Sequence, residues 1–272
     1  MSKIEIAAVK GWSSLNFKEL WLYRELLYFF TLRDVKIRYK QTVLGIGWAI
    51  LQPLCTMIVF AFFFGRLANM PSNDIPYPIF AFSGLLPWIF FSNGISHSSM
   101  SIIQNQNLVK KIFFPRLVLP TASICGGIID MSLTFILLLI LMPFYEITPN
   151  IKLLLFPLAF CWAFIAALGF GLWLSALNVL YRDVKYVVPF MLQIGMFITP
   201  IVYPSSLLPE NWRLLYAINP MDGVVESFRW MVFENYPLSL MSLSISLMVS
   251  LLILVSGAYY FRKVETSFAD VV

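Results

Sequence analysis

The chain has 272 residues, 60% of them hydrophobic and only 12% charged, with a net charge of +5; a soluble domain carries ~25% charged residues. That balance excludes an ordinary soluble enzyme, because so much apolar surface exceeds what a core of this size can bury. One histidine, three scattered cysteines (Cys55, Cys125 and Cys161) and no G-x-x-x-x-G-K-[ST] segment leave no metal cluster, no disulfide framework and no phosphate-binding loop to build on.

Residues 1–42 form an N-terminal arm. Met1–Asn16 lacks the apolar run and cleavage site of a secretory signal, so the first span is expected to insert uncleaved. From Asn16 to Lys40 the residues Phe17, Leu20, Trp21, Leu27, Tyr28, Leu32 and Val35 recur at helical spacing, with Arg24 and Thr31 interrupting the stripe. That pattern predicts an amphipathic helix in the membrane interface, with Trp and Tyr at headgroup depth. The helix is either a plain juxtamembrane anchor or also a platform for a partner.

Six apolar segments follow, at about 43–65, 79–103, 117–142, 153–177, 186–203 and 238–261. A helix rises ~1.5 Å per residue, so roughly 20 apolar residues cross a ~30 Å hydrocarbon core, and unpaired backbone amides are not tolerated there. The expected fold is therefore an all-α polytopic membrane protein with six spans and a tail at 262–272. Between spans two and three, "NLVKKIFFPRLVLP" sets Lys110 and Lys111 beside Phe113 and Phe114 on a short turn. Two aromatic residues on a basic turn with no core of their own are expected to be covered by a partner. Residues 205–236 are too apolar for a free loop and too charged to span. They predict two short re-entrant or interfacial helices split near Asn219–Pro220.

Placing the N-terminus in the cytoplasm puts 15 of the 19 Lys and Arg residues on the cytoplasmic side of six spans, so both termini are expected there. The same bias accounts for the net charge without a nucleic-acid partner. Within the spans Asp130 is the one carboxylate near a midpoint, where a charge costs at least ~2.5–3.5 kcal/mol, so it must face protein or water. An interhelical hydrogen bond is the expected role, with direct participation in transport as the alternative. His97 is read as solvated or hydrogen-bonded rather than as a proton relay.

Ion-coupled transporters need several intramembrane charges and are often built from repeats; neither is evident here, so energy is expected to arrive through the cytoplasmic surfaces. Aromatic residues make up 17% of the chain. Most are expected in lipid or in interfacial belts, but some suit a passage for a sliding glycan, because rings stack on sugar faces without trapping charge. Composition and spacing do not single out which rings do this.

Five segments, "RDVKIRYKQTVLGIGWAILQPL", "GLLPWIFFSNGI", "NLVKKIFFPRLVLP", "LNVLYRDVKYVVPFMLQIGMFITPIVYP" and "NPM", occur in this order. Together they resemble the permease subunit of ATP-binding-cassette type-2 exporters of lipid-linked polysaccharide (O-antigen, capsule, teichoic acid), and the resemblance covers nearly the whole chain. It implies a homodimer with two copies of a cytoplasmic ATPase subunit that binds ATP and Mg, no cofactor in this chain, and a glycan on undecaprenyl diphosphate as cargo. The resemblance also places a coupling helix at about Asn107–Arg116, carrying Asn107, Lys110, Lys111, Phe113, Phe114 and Arg116. It places an interface helix at about Phe17–Lys36, carrying Trp21, Arg24, Tyr28 and Arg33, and short periplasmic helices before the last span. The resemblance also sets the spans that carry Trp48, Trp88, Phe91, Phe197 and Tyr203 near the dimer axis, so these are the candidate lining residues, with packing in the core or against lipid as the alternative for each. Arg182 and Asp183 of "LYRDVKY" are expected to be structural or gating residues. The competing readings are a membrane-embedded enzyme acting on lipid-linked sugars, for which Arg182–Asp183 is the nearest approach to a catalytic pair, and a secondary transporter.

Overall fold

The computed structural model describes residues 21–40, 42, 44–266 and 268, and among these it is helical with no strand. The arm residues before Trp21 lie outside the described residues. Helix α1 (Arg24–Tyr39) has no buried residue and leads to the first span through Gly45, whose φ of 51° is open to glycine at little cost. The first span runs through α2 (Trp48–Phe60) into a π-helical stretch (Ala61–Leu67), where backbone amides reach one residue further back.

Then come α3 (Tyr77–Gln104), the short α4 (Gln106–Lys111), and α5 (Val118–Cys125), which is separated from α6 (Ile128–Phe144) by a break at Gly126–Gly127. Helix α7 (Phe156–Leu180), α8 (Val184–Ile198), α9 (Glu210–Tyr216), α10 (Pro220–Val232) and α11 (Leu240–Glu265) complete the chain. Five segments are long and apolar enough to cross a membrane: Gly45–Leu67, Tyr77–Gln104, Val118–Phe144, Ile151–Leu180 and Leu240–Glu265. Each extends within a few residues of its expected range.

Helix α8 is shorter than the expected 186–203. At ~1.5 Å per residue its 15 residues rise ~22 Å. It stops at Ile198 because Thr199 precedes Pro200 and is pushed out of the helical region, to φ −75° and ψ 139°. Even so, α8 carries the chain across the bundle. It starts beside the end of α7, and past its far end Asn219 Nδ2 donates to Thr199 Oγ1 (2.9 Å). Helix α11 then returns to the end where α1 and α4 lie.

Helix α3 is the axis of the bundle. Its face of Ser, Gly and aromatic residues packs on α2, α5, α6, α7 and α10, and most of its length is buried. Ser83 and Ser101 return their hydroxyls to the carbonyls three residues back (2.7 Å each), so burying them leaves no orphan donor. Helices α7 and α11 approach closely enough that a Cβ on Gly169 would lie 2.7 Å from the Leu254 amide nitrogen, and one on Gly257 would lie 2.5 Å from the Gly169 carbonyl. Small residues let backbones meet in this way inside a membrane bundle. Trp162 and Trp173 reinforce the seam by donating to Ser250 Oγ (2.8 Å) and Ser256 Oγ (3.1 Å). By contrast α2, α6, α8 and α11 present exposed apolar rows, for example Ile58, Ile140, Phe190 and Leu252, as lipid or another apolar surface requires.

Candidate functional site

At one end of the bundle the arm, the α4 turn and the end of α11 are bolted together. Arg33 of α1 donates to Asn105 Oδ1 at the head of α4 (2.8 Å) and to its neighbour Asp34 (2.8 Å), and its guanidinium lies 4.7 Å from the Phe30 ring. Asp34 in turn accepts from Ser123 Oγ of α5 (3.3 Å). Arg38, one turn further on, pairs with Asp130 in the first turn of α6. Arg116 donates its amide to Glu265 Oε1 (3.0 Å), donates its guanidinium to the Glu265 carbonyl, and lies over the Phe268 ring. Rows of hydrogen bonds to three separate helices make α1 and the α4 turn one mechanical unit.

That unit presents a surface. Asn107, Lys110, Lys111 and Phe113 all point outward, Phe113 with 73% of its area exposed. Phe114 does not share that role. It is 7% exposed and packs with Val109, Leu117 and Phe261 in a second core, its ring 5.8 Å from Phe30 of α1. The expected aromatic pair is therefore one exposed ring and one buried anchor, because the chain is extended at Ile112 and successive side chains point to opposite sides. On α1, Trp21 and Tyr28 are exposed, Arg24 donates to the Trp21 carbonyl (3.4 Å), and Leu26 and Phe30 turn toward the second core. Arg182 and Asp183 are exposed in the turn between α7 and α8, where the Asp183 carbonyl accepts from Tyr186 N (2.9 Å) to start α8.

Asp130 sits midway along the segment Val118–Phe144, as its position in the sequence implies, yet its partner is the arm. Arg38 and Asp130 also line a cavity of about 410 Å³ together with Trp48, Gln52, Asn93 and His97. The five aromatic candidates divide. Trp48 and Phe197 are half-exposed on α2 and α8. Trp88 and Phe91 are 5% exposed and pack with each other (5.5 Å), and Phe91 also packs with Phe170, the arrangement of the packing alternative. Tyr203 is partly buried and donates to the Ile198 carbonyl (3.0 Å), closing off the end of α8.

The opposite end holds a feature that charge counting missed. Arg229, which the sequence presents as one of the charges breaking up an outer loop, is fully buried on α10. Its guanidinium carbon lies 3.8 Å from the Phe80 ring centroid. It donates to the carbonyls of Ile201 (2.7 Å) and Tyr203 (3.3 Å) and pairs with Glu226 (3.4 Å). Glu226 also accepts from Tyr236 (3.0 Å) and Ser205 (3.0 Å). Burial raises the Glu226 pKa, opposed by Arg229 and these hydrogen bonds. Burial and then the charge of Glu226 push Asp222 up to about 7, with Arg229 opposing. Helix α10 starts where expected: the Asn219 side chain caps Met221 N (3.0 Å) and Pro220 takes the first position. Met221, Val224, Val225 and Phe228 form its buried apolar face, and the segment's apolar character was legible in the sequence; the burial of its charges was not.

These observations define a polytopic membrane protein with an exposed basic surface at one end, a buried, capped helix at the other and no catalytic constellation among the described residues. Residues 25–233 match the ABC-2 type transporter family. The chain is 31% identical over 255 residues to an O-antigen export system permease protein of Myxococcus xanthus, covering 93% of this chain and 97% of that protein. It is 28% identical over 249 residues to a protein of the same name from Klebsiella pneumoniae (91% and 95%), and 28% identical over 244 residues to the polysialic acid transport protein of Escherichia coli (86% and 91%). This chain belongs to the ABC-2 type transporter family. It is a transport subunit, with ATP hydrolysis on a separate subunit.

The Arg38–Asp130 pair gives the first test. The two side chains are about one-fifth exposed, between an open and a buried ion pair, so losing it should cost ~1–2 kcal/mol. Asp130→Asn keeps a hydrogen bond to Arg38 and is expected to retain much of the transport activity with a slightly lowered melting temperature. Complete loss of transport in a stably expressed Asp130→Asn protein would show a direct role for the charge.

Proposed function

We propose that this chain is the permease of an ATP-driven exporter of lipid-linked polysaccharide across the bacterial cytoplasmic membrane, with O-antigen as the first candidate cargo. The observation that carries the reading is near full-length similarity to permeases named for O-antigen export and polysialic acid transport, in a protein whose crossing helices are almost free of charge. Two permeases associate through the exposed apolar faces of α2 and α8, which carry Trp48 and Phe197. Those rings, rather than Trp88 or Phe91, face the path between the two permeases; their half-exposure supports this. Two ATPase subunits bind ATP and Mg and dock on Lys110, Lys111 and Phe113. The glycan reaches the path on its undecaprenyl diphosphate carrier.

The arm, the α4 turn and the end of α11 share one end of the bundle, which supports an even number of crossings with α8 as the short fifth. The basic residues support placing that end in the cytoplasm, and α9 and α10 then dip in from outside. Reconstitution tests the reading. Permease and ATPase purified together in mild detergent and placed in vesicles should move undecaprenyl-diphosphate-linked glycan on addition of ATP and Mg. Trp48→Ala or Phe197→Ala should slow long chains without loss of assembly. Transferase activity without an ATPase, or transport that ignores ATP, would overturn it.

A further inference from the structure

The turn that carries Lys110, Lys111 and Phe113 cannot hold its own position. Helix α4 has six residues, fewer than an isolated helix needs, and the chain is extended at Ile112 just past it. Its place is therefore set by what it is tied to. Val109 and Phe114 seat it on the second core, and Arg33 on Asn105 fixes its head. A further tie lies past its far end, at Arg116, and leads to the last turn of α11.

That tie joins two helix ends reciprocally. The amide of Arg116 lies just before α5, whose N-terminus has no side-chain cap of its own, and it donates to Glu265 Oε1 (3.0 Å). Glu265 is the final residue of α11, so its carbonyl is among the last four that lack an intrahelical donor, and the Arg116 guanidinium donates to it. A carboxylate at a helix N-terminus and a cation at a helix C-terminus are the favourable placements for both dipoles. Beyond the helix Phe268 is fully buried, its ring 5.2 Å from Phe261 and 5.9 Å from the Arg116 guanidinium carbon. Phe268 thus shares a core with Val109 and Phe114, the two residues that seat the basic turn.

We infer that Glu265 and Phe268 are positioning residues for coupling to the ATPase: acting through Arg116, they hold the basic turn in the orientation in which Phe113 meets the ATPase. The inference rests on the proposal that the ATPase docks on that turn. Neither residue offers a contact of its own on the outward face. Phe268 is buried, and the Glu265 carboxylate is engaged by the Arg116 amide and, at 3.8 Å, by Arg262. Their loss therefore reaches the ATPase only through the turn. With the tie broken the turn samples other orientations, and the apparent affinity falls by the fraction still competent to dock.

The full-length permease in lipid nanodiscs is titrated with its ATPase subunit to obtain a Kd, and amide hydrogen exchange is followed at Arg116. Glu265→Leu removes the acceptor. It should speed exchange at the Arg116 amide and weaken ATPase binding about tenfold, the scale of one lost charge-assisted hydrogen bond. Phe268→Ala should weaken binding in the same direction. Glu265→Gln keeps an acceptor oxygen and should restore binding to within about threefold of the wild type. A residue that only stabilises the fold would lower the melting temperature and leave the affinity of the folded protein where it was. Wild-type affinity in folded Glu265→Leu and Phe268→Ala proteins therefore overturns the inference, whatever their melting temperatures. Phe113→Asp is measured beside them. If it too binds the ATPase normally, the ATPase docks elsewhere and the docking proposal falls with the inference; if it alone loses binding, docking stands and only the positioning role fails.

Discussion

Replacing Phe113 by Asp is expected to leave the permease folded in the membrane while it loses ATP-driven transport. The ring is 73% exposed on a turn whose other outward residues include Asn107, Lys110, Lys111 and Ile112, and it contributes nothing to either core. An aromatic anchor at the centre of an interface is worth ~2–4 kcal/mol when truncated, or roughly 30- to 1,000-fold in affinity. A carboxylate there would retain the loss of packing and partly neutralise the two lysines. ATPase stimulation should fall with transport, while the melting temperature of the permease stays at the wild-type value. Phe114→Asp is expected to behave in the opposite way. That ring fills a pocket beside Phe30, Val109 and Phe261, and removing a large buried aromatic costs ~3–5 kcal/mol before the charge is counted. Its signature should be poor yield and a lowered melting temperature, with the arm loosened from the bundle. If both variants transport normally, or if Phe113→Asp unfolds and Phe114→Asp does not, the division of labour between the two rings is wrong.

The second large effect is expected at Arg229. Arg229→Ala removes a buried guanidinium and strands Glu226 in a site that excludes water, a change that costs about 3–5 kcal/mol in a protein interior. It also frees the carbonyls of Ile201 and Tyr203 and removes the cation from the face of Phe80, so the turn after α8 loses its tie to α3 and α10. The double variant Arg229→Met with Glu226→Gln should recover much of the stability. Met matches the length of the buried stem, and Gln can still accept from Tyr236. Melting temperatures of the two variants in one detergent decide the matter. Arg229→Ala melting with the wild type would mean that the pair is not buried in the working protein.

Much of the molecule was legible along the chain because the physics involved is local. The crossing segments follow from runs of apolar residues that lipid tolerates only as helix. The ends of α8 and α10 follow from Pro200 and from Asn219–Pro220. The short basic turn at 107–116 follows from two lysines beside two aromatic residues and Pro115. None of these depends on a partner distant in sequence.

What the tertiary structure decided depends on such partners. Phe113 and Phe114 are indistinguishable in the sequence; an extended residue between α4 and the next turn sends one outward and the other onto Phe30, 84 positions away. Asp130 had to face something polar, but that its counterpart is Arg38 on the arm required the arm to fold back against the break at Gly126–Gly127. Trp88 and Phe91 share their composition and neighbourhood with rings that face lipid, and only the packing of α3 at the centre of the bundle encloses them. Arg229 and Asp222 read as the charges of an outer loop until α10 is set among α3, α7 and α11. Apolar spacing fixes which face of a helix is buried; which charge that burial encloses, and against what, is set only when the other helices arrive.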